Sequence, residues 1–138
     1  MGCNEVILLE THVLLWLRSG NENIGKNALN SIEEAYGQNK LYISAISFWE
    51  IALLKEKGRI TLAHQVSAWR KSVIAEGIKE IPVDGEIGIR SNQLSGFHPD
   101  PADRIITTTA MLSGIRLYTA DEKILNWDSQ DFVIDVRY

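Results

Sequence analysis

Apolar residues along this chain fall into short solid runs separated by stretches of helical period. Val6-Ile7-Leu8-Leu9 is the first run. A strand that is apolar at every position must be covered on both faces, which is the condition of a central strand in a parallel sheet. Leu41-Tyr42-Ile43, Ile78 to Val83, Ile115 to Thr119 and Phe132 to Val136 read as further strands. Between them lie helical patterns. Residues 12–18 begin one, and Gly25 to Tyr36 is amphipathic, with Ala28, Leu29, Ile32 and Ala35 on one side. Ser44 is a plausible N-cap for a helix over about residues 45–57 that Gly58 ends. Another helix covers roughly 63–76, and Asp84 caps one running to about Leu94. Asp100-Pro101 places an acidic N-cap before a proline at the first helical position, and that helix runs to Ser113 and stops at Gly114. A short helix follows over Asp121 to Leu125. Strands that alternate with helices predict an α/β fold, a three-layer α/β/α sandwich around a short parallel sheet of about five strands.

The length of 138 residues suits a single domain over 1–138 with one core. The apolar share of 45% excludes a disordered chain. No apolar run approaches the ~20 residues that span a bilayer, because Glu10, Thr11 and His12 interrupt Val6 to Leu17, so no membrane role is expected. The first apolar run lacks a basic leader and a small-residue cleavage site, so no signal peptide is expected. Met1-Gly2-Cys3 opens like a myristoylation signal, but Glu and Val stand where its Ser or Thr belongs. Cys3 is the only cysteine, which points to a reducing cytoplasm and excludes a Cys-based metal site. The net charge of −4, from 18 acidic and 14 basic residues, argues against holding nucleic acid by bulk positive charge. A polyanionic substrate would need local basic patches or a bound cation.

Four acids stand in telling places. Glu10 directly follows the first strand, and Asp121 lies two residues beyond the strand ending at Thr119. Ligands of open parallel sheets sit beyond the carboxyl ends of the strands. Glu50 shares a helix face with Ile46, Trp49, Leu53 and Leu54, where an ionised carboxylate bears a desolvation cost of several kcal/mol. Asp103 shares a partly apolar face with Ile106, Thr107 and Ala110. Each acid also has a plain structural reading. Glu10 can begin a loop, Glu50 can pair with a buried Lys or Arg, Asp103 can favour the positive end of its helix, and Asp121 can cap the next one. Taken together, four carboxylates at one sheet edge repel unless a cation neutralises them. Oxygen ligands suit Mg²⁺ or Mn²⁺, an ion type that activates water against a phosphodiester.

Four blocks carry a family resemblance. Ile7-Leu8-Leu9-Glu10-Thr11-His12-Val13-Leu14-Leu15-Trp16, Tyr42-Ile43-Ser44-Ala45-Ile46-Ser47-Phe48-Trp49-Glu50-Ile51, Gly96-Phe97-His98-Pro99-Asp100-Pro101-Ala102-Asp103-Arg104-Ile105-Ile106 and Leu117-Tyr118-Thr119-Ala120-Asp121-Glu122-Lys123-Ile124-Leu125 occur in that order. They resemble the blocks of PIN-domain ribonucleases, in particular the VapC-type toxins of toxin–antitoxin pairs. The resemblance implies a PIN fold, a homodimer, Mg²⁺- or Mn²⁺-dependent cleavage of RNA (structured RNA such as tRNA among the candidates) and a VapB-like antitoxin whose tail covers the acidic site. It implies Glu10, Glu50, Asp103 and Asp121 as the metal-binding catalytic acids, with Thr11, Asp100 and Thr119 in support. Asp100 already has a structural task as an N-cap. This chain departs from the family at its first acid, which is Glu10 where the family has Asp. One extra methylene shifts a carboxylate by a C–C bond, while Mg²⁺ demands near-octahedral contacts at about 2.0–2.1 Å.

Other polar and aromatic residues read as ordinary structure. His12, His64 and His98 have no metal-type spacing, and Trp16, Trp49, Trp69 and Trp127 are expected in the core or at a dimer contact. Lys55, Lys57 and Arg59 suit a helix C-terminus, Arg104 is available to RNA, antitoxin or a salt bridge, and Asp128, Asp131 and Asp135 are expected in solvent. Three functions follow in order: a ribonuclease toxin, a catalytically weakened PIN domain that binds antitoxin or RNA, and a small phosphatase on a similar sheet.

Overall fold

A computed structural model describes residues 5–20, 22–127 and 131–138 of the chain. Cys3, the Met1-Gly2-Cys3 opening and Asp128 lie outside the described residues. Five strands form one sheet: β1 (Ile7–Leu9), β2 (Leu41–Ser44), β3 (Lys79–Ile81), β4 (Arg116–Thr119) and β5 (Val133–Asp135). Their order is β3-β2-β1-β4-β5 and every pairing is parallel. β1 is central, with Ile7 opposite Leu41 on one side and Arg116 on the other.

Seven helices are described: α1 (Thr11–Ser19), α2 (Lys26–Gly37), α3 (Ala45–Glu56), α4 (Val66–Ala75), α5 (Gly85–Ser91), α6 (Pro101–Ser113) and α7 (Glu122–Trp127). They cover both faces of the sheet. Successive strand residues point to opposite faces, and β1 divides accordingly. Ile7 and Leu9 join Leu41, Ile43, Val13, Leu14, Ile32, Phe48 and Ile51 in one core cluster. Leu8 joins Leu117, Val133, Ile106, Ala110 and Ile124 in the other. All three β1 residues are fully buried, which is why the run is apolar throughout.

Caps fix the helix ends that face the site. Ser44 accepts from Ile46 N at 3.2 Å and opens α3 directly after β2. Asp100 Oδ1 accepts from Asp103 N at 3.0 Å and opens α6 with Pro101 behind it. Gly114 ends α6 at φ 67°, a left-handed conformation that favours glycine, and turns the chain into β4. Since α6 leads into a parallel strand, its amino end lies at the carboxyl edge of the sheet. Gly25 has a different reason for being glycine: a Cβ there would lie 2.4 Å from the Tyr138 carbonyl carbon.

Some boundaries differ from expectation. α1 starts at Thr11, immediately after β1, because Glu10 itself is the N-cap. The second-edge strand shortens to Lys79–Ile81 and the last strand to Val133–Asp135.

Candidate functional site

The strand order reverses direction between β1 and β4, so the crevice of this sheet opens beyond their carboxyl ends. Glu10 follows β1 and Asp121 follows β4, one on each side of that point. Glu50 and Asp103 are carried by α3 and α6, helices in direct contact with each other.

Glu10 is 4% exposed and turns back onto its own helix. Its Oε2 accepts from His12 N at 3.2 Å and lies 3.0 Å from His12 Nδ1. That pairing is the first cause of a rise in the His12 pKa to about 9. Thr11, fully buried, pairs its Oγ1 with Ser47 Oγ at 2.9 Å and so ties α1 to α3. Glu50 is half-buried, and its Oε1 is buried with no hydrogen-bond partner among the described residues. Burial pushes its carboxyl upward, hydrogen bonding to Thr11 opposes this, and the field of Glu10 adds to it.

Asp103 and Asp121 meet a residue that sequence reasoning set aside. His98 Nε2 lies 2.8 Å from Asp103 Oδ2. One potential ligand atom each from His98, Asp103 and Asp121 falls within 4.8 Å of the others. Glu10 and Glu50 are not part of that tight group, although the field of Glu10 reaches Asp103. Asp103 is 7% exposed, and burial drives its pKa up to about 7; His98 lowers it, while Asp100, Glu10 and Asp121 raise it. Asp121 Oδ1 accepts from Lys123 N at 2.8 Å, and its own N donates to the Thr119 hydroxyl at 3.0 Å. Asp121 therefore begins α7 as the plain reading expected, while Thr119, fully buried, closes the turn that carries it.

The donor set fits a divalent cation. Glu50 and Asp103, pushed upward by burial and then by neighbouring carboxylates, and one carboxylate oxygen left without a partner among the described residues, are groups whose cost a cation would remove. Carboxylate oxygens suit a hard or borderline ion of the Mg²⁺ or Mn²⁺ kind.

Arg104 forms no ion pair among the described residues. It clamps the loop before α6: Nε donates to His98 O at 2.9 Å, Nη1 to Ser91 O at 3.1 Å and Nη2 to Phe97 O at 2.6 Å, with the guanidinium 5.6 Å from the Phe97 ring. This clamp is what brings His98 onto Asp103, and nothing in the residue spacing announced it. Trp49 is 54% exposed rather than in the core. The buried face of α3 runs through Ser47, Phe48 and Ile51, rotated from the apolar count, because α1, α4 and α6 all press on this helix. Trp16 and Trp69 pack on the first core cluster, and Trp127 packs edge-on against Phe97 at 5.0 Å. Lys55 Nζ donates to His64 O at 3.0 Å. Asp135 pairs with Arg137 instead of standing free in solvent.

Comparison with known proteins agrees with this arrangement. Residues 7–128 match the PIN domain family. Ribonuclease VapC22 of Mycobacterium tuberculosis (strain ATCC 25618 / H37Rv) is 34% identical over 119 residues, covering 86% of this chain and 88% of that protein. Among solved structures, a toxin–antitoxin complex from Klebsiella pneumoniae superimposes with a TM-score of 0.63 at 22% identity, over 96% of this chain and 98% of that one. FitAB bound to an IR36 DNA fragment superimposes with a TM-score of 0.57 at 17% identity, over 96% of each chain. These two likenesses establish a shared fold.

Proposed function

Because this chain belongs to the PIN-domain family, we propose that it is a metal-dependent endoribonuclease, the toxin of a toxin–antitoxin pair. In this reading Glu10, Glu50, Asp103 and Asp121 hold Mg²⁺ or Mn²⁺, and the reaction is hydrolysis of an RNA phosphodiester. The observation that carries it is the set of buried and half-buried acids at the topological switch point, where neighbouring carboxylates push Glu50 and Asp103 upward and Glu50 Oε1 has no partner among the described residues. When bound, such an ion supplies positive charge that steadies a phosphodiester's developing charge and lowers the pKa of water. The protein's own residues do the rest. Thr11 fixes α1 against α3, so Glu10 and Glu50 keep their spacing. Thr119 holds the turn that presents Asp121. Asp100 anchors the first turn of α6 and with it Asp103.

The same reading assigns a VapB-like antitoxin, a homodimer, an RNA substrate such as a structured tRNA, and a cytoplasmic setting. An apolar cavity of about 380 Å³ lined by His12, Leu15, Trp16, Leu62 and Trp69 begins at the residue that pairs with Glu10, in reach of a chain that covers the acids. No described helix is long and apolar enough to cross a membrane.

One observation favours a second reading, a catalytically weakened domain that mainly binds antitoxin or RNA. Glu10 spends Oε2 on the backbone and ring of His12. The test is cleavage of a structured-RNA panel by the wild type and Glu10→Asp, with Mn²⁺, Mg²⁺ or chelator. The nuclease reading expects both proteins to cut only with metal, the Asp variant about tenfold faster, which is a gain of about 1.4 kcal/mol in barrier. Cleavage by the Asp variant alone selects the second reading, and chelator-resistant cleavage sinks the metal dependence.

A further inference from the structure

Resting on the metal-centre reading above, we infer that His98 is a positioning residue that fixes Asp103 by donating from Nε2 to Oδ2, leaving Oδ1 for the cation. Three features carry it. First, the ring is held at one face and through its own backbone. It stacks on Phe97 at 4.5 Å and 20°, its main-chain oxygen accepts from Arg104 Nε, and Phe97 is braced by Arg104 and Trp127. A side chain gripped this way sets the orientation of what it touches. Second, Asp103 is fixed from its other end as well, since its N donates to Asp100 Oδ1 at 3.0 Å. No described residue donates to Asp103 Oδ1.

Third, the two ring nitrogens differ. Nε2 faces a carboxylate at 2.8 Å, whereas Nδ1 is buried with no partner among the described residues. A proton on Nδ1 would be a buried unsatisfied donor, whereas one on Nε2 meets a carboxylate, so the proton of the neutral ring belongs on Nε2. A nitrogen that carries a proton toward Asp103 has no lone pair for a metal. A ligating histidine, moreover, normally donates its other N–H to an acceptor, and none is present at Nδ1. His98 thus acts through Asp103, although its ring lies within 4.8 Å of both Asp103 and Asp121. The chemistry at the cation stays all-oxygen.

Mn²⁺ binding tests this, followed by the loss of the free-ion electron spin resonance signal, on wild type, His98→Ala, His98→Gln and Asp121→Asn. His98→Ala should weaken binding about 10–100-fold, the usual effect of removing such an orienting partner. His98→Gln, whose amide nitrogen occupies the place of Nε2, should restore affinity to within a few-fold. Spin-echo modulation of Mn²⁺-loaded wild type should show no directly bonded nitrogen. Wild-type affinity in His98→Ala overturns the inference, as does a directly bonded nitrogen that His98→Ala removes. A wild type that binds no Mn²⁺, or an Asp121→Asn variant that binds as well as wild type, defeats the metal-centre reading and this inference with it. Melting of each variant in chelator confirms that the comparison is among folded proteins. A misfolded His98→Ala leaves the decision to His98→Gln, for which a loss as large as 10–100-fold counts against the donor role.

Discussion

Glu50 is a cost to the fold. Its carboxyl is pushed upward first by burial, and Oε1 finds no partner among the described residues. A purely structural acid would destabilise the protein when removed; an acid kept for a cation does the opposite. Glu50→Gln should raise the melting temperature in chelator by roughly 2–5 °C, since 1 kcal/mol moves a domain of this size by about that much. A fall of several degrees would show that Glu50 serves the fold. Protonation gives a second test. Asp103 has a folded pKa of about 7 against 3.8 ordinarily, so between those values the native state holds the extra proton. Stability therefore falls as pH rises through that window. His12, raised to about 9 from 6.5 by Glu10, favours folding below 6.5 and loses that contribution as pH climbs towards 9, in the same direction but screened on a half-exposed ring. Melting in chelator should drop steadily from pH 5.5 to 8.5, while the stabilisation given by Mn²⁺ should grow over the same range, because Asp103 must ionise to take the ion. Chelator melts that rise with pH would contradict both assignments. At this scale the placement of Glu10 and Asp121 just past strand ends and of Asp103 in a first helical turn was legible, whereas Glu50 drew notice only from the apolar face around it. His98 was not legible, because its contact depends on Arg104 tying the end of α5 to two carbonyls of the loop that follows. Nor was the cap made by Glu10, since Glu is not among the favoured N-cap residues.

At the scale of elements, punctuation was the most readable feature. Asp100-Pro101 and Gly114 bound α6 as expected, and Ser44 starts α3, because caps are satisfied by neighbours in sequence and need no tertiary information. The face of α3 was misread for the converse reason. Three helices press on it, and small Ser47 lets Thr11 approach where the apolar pattern put Trp49. The cap also separates two roles for Asp100. Asp100→Asn keeps an N-cap acceptor and should melt within about 0.5 kcal/mol of wild type with nearly unchanged Mn²⁺ affinity, whereas Asp100→Ala should lose about 1 kcal/mol by denaturant titration. A large loss of Mn²⁺ affinity in Asp100→Asn would make Asp100 part of the metal shell instead.

The whole molecule sets its acids at one edge of a parallel sheet. β1 and β4 flank the reversal in strand order, and Glu10 and Asp121 stand at their ends. The layered class was legible from alternating runs, but the order β3-β2-β1-β4-β5 was not, since no local pattern says which buried strand is central. With a net charge of −4 and acids concentrated at the crevice, a polyanion gains little by approaching the metal-free protein. That these acids hold a divalent ion for RNA hydrolysis is the proposal on which the rest depends. Its most direct test is the rate of cleavage of a structured-RNA panel by wild type and Asp121→Asn in Mn²⁺, with folding of the variant checked by its melt. Metal-dependent cutting by the wild type is expected, falling at least about 100-fold in the folded variant. Equal cutting by the two proteins would contradict it.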